Sequence, residues 1–582
     1  MYDLKITGGT IVDGTGSDPF AGDVAVKDGR IVAIAAPGGL DAGAVESLDA
    51  TGSIVTPGFV DIHTHYDGQV TWDDKLDPSG GHGVTTVVTG NCGVGFAPVR
   101  PGSEGWLIEL MEGVEDIPGT ALSEGMTWGW ESFPEYLDAL DRRQLAVDVG
   151  TQIAHGAVRA YVMGGRGARN EPATPADIDE MARLVREAVE AGALGFSTSR
   201  TLGHRAIDGE PVPGTFAAED ELFGLGRAMA AGGRAVFELA PAGAAGEDII
   251  APKKEVDWMC RLAGEIGMPV SFALLQVDRA PDLWRELMDE SCRATQRGAP
   301  VFPQVAARPF GMLFGWQTNH AFSKRPTYRS LAASLAFAEL AEELARPATR
   351  RAILAESDEP ADPGVLFDSM NLLVQSAIDR LYVLGDPPDY EPTPDRTVSA
   401  LAARAGVEPL AMLYDLFCEE DGQGLVMLPF FNYSNGNHDA IRDMLTHPAG
   451  VAGLSDGGAH CGMICDASMP TFLLTHWARD RARGERLSLP YVVKKQTADT
   501  AALYGLDDRG VIEVGKKADL NVIDFERLTL RAPRMAHDLP AGGRRLLQEA
   551  DGYVATVLSG AITRRRGVDT GARPGRLVRG AR

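Results

Sequence analysis

The sequence predicts an α/β fold: a (β/α)8 barrel of the TIM type, with a small β-sandwich domain built from both termini and a mainly helical insertion between strands seven and eight. Three observations predict it. Eight short apolar runs alternate with helical patterns through the middle of the chain. Both ends carry strand-like runs punctuated by glycine turns. The last two apolar runs lie about 145 residues apart, too far for one crossover helix. The predicted divisions are 1–56 (β), 57–311 (barrel), 312–440 (insertion), 441–505 (barrel) and 506–582 (β domain and tail).

The first strand runs are Leu4–Ile6, Thr10–Val12, Asp23–Val26 and Arg30–Ile34, with GG and DG turns between them. The barrel runs are Gly58–Ile62, Thr85–Val88, Val147–Ile153, Ala193–Phe196, Ala235–Leu239, Val270–Leu275, Val301–Val305 and Gly450–Leu454. The clearest helix follows Thr174, an N-cap, with Pro175 in its first turn and Gly192 closing it. Ile178, Met181, Val185 and Ala188 form its apolar stripe. Within the insertion, Ser330–Arg346 and Val398–Leu416 read as helices. Ala518–Ile523 and Tyr553–Leu558 return to β texture, and the arginines from Arg564 to Arg582 read as a solvated tail or a packing arm.

Composition excludes several classes. With 44% hydrophobic and 23% charged residues the chain can bury a large core, which excludes a disordered or disulfide-scaffold protein. A net charge of −26 repels phosphate backbones, so no nucleic-acid partner is expected. No run of 18 apolar residues suggests a membrane span. Six cysteines and a start without a signal-peptide pattern give a cytoplasmic expectation. A homo-oligomer is compatible with all of this.

The chemistry concentrates at predicted strand ends, the rim where barrel active sites form. In Pro57-Gly-Phe-Val-Asp-Ile-His-Thr-His65, His63 and His65 lie two apart and share one face of a strand. That pairing suits zinc or a similar ion; the plainer reading is two polar residues at a strand end. Cys92 ends the next strand as either a third ligand, through its thiolate, or a packed thiol. Asp456, in Leu454-Ser-Asp-Gly-Gly-Ala-His460, can exchange a proton beside an activated water or act only as a helix cap. His460 can touch substrate, orient Asp456 or serve structure. Cys461 and Cys465 read as core or loop thiols. His155, Arg159, Ser199, Arg200, Glu238 and Gln276 end other strands and are pocket residues by position alone. An acidic enzyme needs a local cation to hold an anionic substrate, and Arg200, then Arg159, are the expected carboxylate anchors.

Together these motifs resemble the amidohydrolase superfamily, and within it the N-acyl-D-amino-acid deacylase (D-aminoacylase) family. The likeness runs from Gly8-Gly-Thr-Ile-Val-Asp-Gly-Thr15 through His63-Thr-His-Tyr-Asp67, Gly90-Asn-Cys-Gly93, Gly195-Phe-Ser-Thr198 and Ser455-Asp-Gly457. It continues in Asp507-Asp-Arg-Gly-Val-Ile512, Gly515-Lys-Lys-Ala-Asp-Leu520 and Thr570-Gly-Ala-Arg-Pro-Gly-Arg576. The resemblance implies metal-activated water attacking the amide of an N-acyl D-amino acid, with Asp456 as general acid and base. It implies metal positions at His63, His65, Cys92 and Asp456. The chain departs from the pattern where strands five and six end without histidine, Val236-Phe-Glu-Leu-Ala-Pro241 and Ser271-Phe-Ala-Leu-Leu-Gln276, and no lysine ends strand four. One zinc ion rather than two is therefore expected, with a small-molecule amide as substrate. Two other readings stay open: hydrolysis of another C–N bond, in a cyclic amide or dipeptide, and a barrel that binds a ligand without turnover.

Overall fold

The computed structural model describes residues 1–362 and 368–580. Its centre is one curled sheet of eight parallel strands laid side by side in chain order. They are Phe59–Asp61, Val84–Thr89, Asp148–Ala154, Gly195–Ser199, Val236–Ala240, Val270–Ala273, Val301–Val305 and Val451–Ala452. Each overlaps an apolar run read from the sequence. Strands covered on both faces need no polar alternation, so they appear as near-continuous apolar runs. A parallel bridge between Thr64 and Gly457 joins the first strand's exit to the last. The His65 amide donates to the Gly457 carbonyl there at 2.8 Å.

Crossover helices pack around the sheet. The helix Pro175–Ala191 starts at Thr174 with a capping box completed by Asp177, and Gly192 ends it at φ 118°. Its buried face is Met181, Leu184, Val185, Ala188 and Val189, while Ile178 is only half-buried.

Both chain ends enter one nine-stranded sheet. Ile54–Pro57 is the seam: it runs parallel to Tyr2–Ile11 on one side and antiparallel to Leu520–Ile523 on the other. Leu4, Val24, Val55, Leu520, Val522 and Val557 form its core. The two predicted strands Leu4–Ile6 and Thr10–Val12 are one strand, Tyr2–Ile11, interrupted by an irregularity between Ile6 and Gly9. Because Ile54–Pro57 leads directly into the first strand of the parallel sheet, this sheet fixes where His63 and His65 emerge.

The segment between strands seven and eight differs from expectation in two ways. It contains a three-stranded antiparallel sheet, Gly311–Phe314, Val426–Pro429 and Tyr382–Val383, as well as helices. The predicted long helices are also broken. Pro326–Ala332 and Phe337–Leu344 replace the first, with a further helix at Pro347–Ala355, and Gly406 at φ 68° and Pro409 split the second into Val398–Ala405 and Pro409–Phe417. This segment has its own core around Phe314, Trp316, Phe322, Tyr414 and Phe417.

The arginine-rich end is a packing arm. Gly575 and Leu577 bridge to Leu145 and Val149, Arg573 pairs with Asp74 at 2.9 Å, and Arg579 pairs with Asp138 at 3.0 Å. Arg582 lies outside the described residues. No helix among the described residues is long and apolar enough to cross a membrane.

His82 ties three parts of the chain together. Its Nδ1 lies 2.9 Å from the Thr471 hydroxyl, and Nε2–H donates to the Gln548 carbonyl at 2.9 Å. Burial pushes its pKa down to about 4 from 6.5. A depressed histidine stabilises the fold above its unfolded pKa, and that contribution is lost as pH falls from 6.5 through about 4. We expect roughly 3 kcal/mol of stability to leave with His82 protonation over that interval. Denaturant unfolding at pH 6.5 and 4.5 checks this: His82→Gln should show a smaller loss than wild type.

Candidate active site

The ends of the first, second and eighth strands bring four donor groups to one point. His63, His65 and Cys92 place their ligand atoms within 4.8 Å of one another, all buried. His63 Nε2 is 3.3 Å from Cys92 Sγ and 3.5 Å from Asp456 Oδ1. His65 Nε2 is 3.8 Å from the same Asp456 oxygen.

His63 is oriented from behind by a hydrogen bond, and His65 has a carboxylate behind it. His63 Nδ1–H donates to Gln304 Oε1 at 2.9 Å, and the Gln304 amide in turn donates to Ser271 at 3.2 Å. That bond leaves His63 Nε2 as a lone pair facing Cys92 and Asp456. His65 Nδ1 faces Glu115 Oε1 at 3.4 Å. A carboxylate or amide behind a ligating histidine is the usual device for fixing tautomer and raising basicity.

The backbone is bent to make this convergence. Cys92, Leu454, Asp456 and His460 all adopt left-handed φ, between 48° and 60°. Each such residue stores of order 1–3 kcal/mol of strain, which concentrates at functional sites. The turn after Cys92 depends on glycine: Gly93 has φ +70°, and a Cβ there would sit 2.7 Å from the Ser199 nitrogen. The cap reading of Asp456 is not met, because no helix starts at that residue.

Charge inside the site is unbalanced. Burial, reinforced by Asp456, holds Glu115 well above the carboxylate range. Burial also raises Asp456 well above its ordinary value and lifts Glu238 to about 8. The Cys92 thiol is pushed well up by burial and then by Glu238, Glu115 and Asp456. His63 falls to about 4 through burial, and His65 is held well below the usual imidazole value by burial and then by His63. His65 Nδ1, Glu115 Oε1 and Glu238 Oε1 are buried without a hydrogen-bond partner. Neutral imidazoles, a thiol and carboxylates crowded together match a divalent transition metal, whose charge would ionise the acids and draw the imidazole lone pairs.

Not every residue expected at the site is there. Arg200 pairs with Glu255 at 2.8 Å, donates to the Ala217 carbonyl and does not line the cavity. The reason is strand parity: Ser199 turns toward His204, at 3.0 Å, so the next residue turns away to the outer helix. Arg159 is buried against Glu221 and the Glu171 carbonyl. His155 bridges Thr198 at 2.8 Å and Glu221 at 2.9 Å behind strand four. Neither lines the cavity, so neither expected arginine anchor faces it. Gln276 accepts from the Ser434 amide and donates to the Pro281 carbonyl, holding loops together. Glu238 stands beside the donors, accepting the Cys92 amide at 3.0 Å, with His63 Nδ1 at 3.8 Å. His460 Nε2 lies 3.8 Å from Asp456 and 3.9 Å from Glu115. Cys461 and Cys465 are buried free thiols.

Three residues at the site were missed in the sequence: Glu115, His204 and Gln304. Glu115 carried a signal, since it lies on the stripe of Ile108 and Met111 at the end of the helix Glu104–Glu115, a poor place for a solvated acid.

Comparison with known proteins bears on the family and the fold. The profile of a family described as an amidohydrolase family matches residues 46–564. An uncharacterized protein of Mycobacterium tuberculosis is 28% identical, covering 97% of this chain and 92% of its own. A D-aminoacylase of Alcaligenes xylosoxydans xylosoxydans is 37% identical over 198 residues, 34% of this chain and 37% of that enzyme. The structure of an N-acyl-D-glutamate deacylase from Bordetella bronchiseptica, complexed with zinc and a phosphonate inhibitor, covers 99% of both chains with a TM-score of 0.64 and 24% identity, a likeness of fold. The match runs from the seam of the two-ended sheet to its last strands and takes in every donor residue: this chain belongs to the amidohydrolase family.

Proposed function

We propose that this protein is a metal-dependent hydrolase of an amide C–N bond in a small N-acylated compound, working by the reaction of the N-acyl-D-amino-acid deacylases. The observation that carries the reading is the convergence of His63, His65, Cys92 and Asp456, with His63 hydrogen-bonded from behind by Gln304 and Glu115 facing His65. A ligand-binding barrel without turnover has no use for three buried polar atoms left unpartnered at that point. The local likeness to a D-aminoacylase supports the reaction class.

His63, His65 and Cys92 would hold the ion, with Asp456 at its edge. When bound, a divalent cation supplies Lewis-acid polarisation of the carbonyl and a water of lowered pKa. Asp456, beside His63 and His65, would be the residue that accepts a proton from the attacking water and delivers it to the leaving nitrogen. His460, facing the other Asp456 oxygen, orients the carboxyl group. We infer one tightly held ion, because strands five and six end without histidine and offer Ala240, Ala273 and Leu275 to the cavity, while the strand-five acid Glu238 stands behind Cys92 rather than in the cavity wall. The Thr64–Gly457 bridge supports reading the curled sheet as a closed barrel, with the two-ended sheet as its accessory domain.

The test is amide hydrolysis followed by released amine, using zinc-loaded and chelator-stripped protein on a panel of N-acyl D- and L-amino acids and their neutral derivatives. Zinc-dependent release from at least one panel member is expected. No release from any member by protein carrying a full equivalent of zinc would overturn the reading.

A further inference from the structure

Beside the four donors opens a cavity of about 280 Å³, large enough for a small ligand. Its polar wall is acidic or neutral: Glu115, Asp116 and Asp456 line it with the histidines, and Glu238 stands behind Cys92. No lysine or arginine is among its lining residues. The arginines near the rim in sequence are engaged elsewhere: Arg200 by Glu255, Arg159 by Glu221, Arg308 by Asp466 and the Cys465 carbonyl, and Arg205, next to His204, by the Leu202 and Gly209 carbonyls.

The remaining wall is apolar and is built deliberately by the chain. Phe310 and Met312 come from the strand edge Gly311–Phe314, and Phe430 and Phe431 directly follow its partner Val426–Pro429, register Gly311 to Pro429. Met463 and Ile464 close the wall, tied to that strand by the Leu313 amide donating to the Met463 carbonyl at 2.8 Å. Phe430 and Phe431 meet edge-on at 4.5 Å, and Phe430 remains 41% exposed at the mouth, where it can receive an apolar group.

A carboxylate entering this space would lose its hydration and meet no lysine or arginine among the lining residues, only the ion that His63, His65 and Cys92 would hold, whose charge the Cys92 thiolate and Asp456 would already offset. We propose that the substrate is an uncharged lipophilic amide, with apolar groups on both flanks of the scissile bond and no free carboxylate inside the cavity. Masked N-acyl amino acids and N-acylated amines belong to this class; free N-acyl amino acids do not. The inference rests on the amide-hydrolase reading and sharpens its substrate.

The test uses matched compounds: N-octanoyl-D-leucine, its primary carboxamide, and N-octanoyl-isopentylamine, which lacks the carboxyl group altogether, with the L-leucine pair alongside. Zinc-loaded protein should hydrolyse the neutral compounds with kcat/KM at least about a hundredfold above the free acid, as expected for an unpaired buried charge. Equal rates, or preference for the free acid, would overturn the proposal. Non-hydrolysable sulfonamide isosteres of the same set, titrated by calorimetry, separate this claim from the reaction itself. If no compound is cleaved, the amide-hydrolase reading falls; tighter binding of the neutral isosteres then still upholds an apolar site without a lysine or arginine. Tighter binding of the carboxylate isostere, or no binding by any, would overturn it.

Discussion

Asp456→Asn should lower kcat by roughly 10²–10⁴, the range that general acid–base catalysis contributes. The fold should survive, because the carboxyl group is half-buried at the cavity wall and caps no helix. An amide of the same shape removes a group that burial already disfavours in its charged form. The metal should also stay, since His63, His65 and Cys92 are untouched. Steady-state kinetics beside thermal unfolding and metal content check all three. A variant that keeps full activity would take Asp456 out of the proton path.

Cys92→Ser should release the metal. Loss of an outer hydrogen-bond partner typically costs roughly 10–100-fold in metal affinity, and loss of a ligand costs more. A hydroxyl is also a far poorer zinc ligand than a thiolate. Gln304→Leu gives the internal comparison, because it removes only the acceptor that orients His63. Competition with a chelator of known affinity should therefore order the proteins as wild type, Gln304→Leu, then Cys92→Ser. Equal affinity of Cys92→Ser and wild type would make Cys92 a packed thiol.

Much of this architecture could be read in the amino-acid order, and the failures have physical reasons. The eight parallel strands were visible because burial on both faces removes polar alternation. His63 and His65 were visible because a two-residue spacing on an extended chain puts both rings on one side. Arg200 was misplaced through parity: once Ser199 faces the barrel interior, its neighbour must face the helices, where Glu255 waits. Gln304 was invisible for a different reason. A lone glutamine inside Val-Phe-Pro-Gln-Val gives no sign that a histidine from the far end of the sheet will need an acceptor. His204 sits in a loop whose return to Ser199 depends on tertiary packing. The insertion's helices were drawn too long because a helical pattern continues across Gly406 and Pro409 while the backbone does not.

The absence of a cation among the cavity's lining residues has the largest consequence for substrate choice, yet no single motif announces it. It emerges only when Arg159, Arg200 and Arg308 are each found paired elsewhere.

The most direct measurement of the central claim is X-ray absorption at the metal edge of protein loaded with one equivalent of zinc. The account predicts a shell of two imidazole nitrogens at about 2.0–2.1 Å, one sulfur at about 2.3 Å and an oxygen contribution. That sulfur should vanish in Cys92→Ser. A wild-type shell of nitrogen and oxygen alone, or zinc that washes away on desalting, would contradict the assignment of His63, His65 and Cys92 as the metal site.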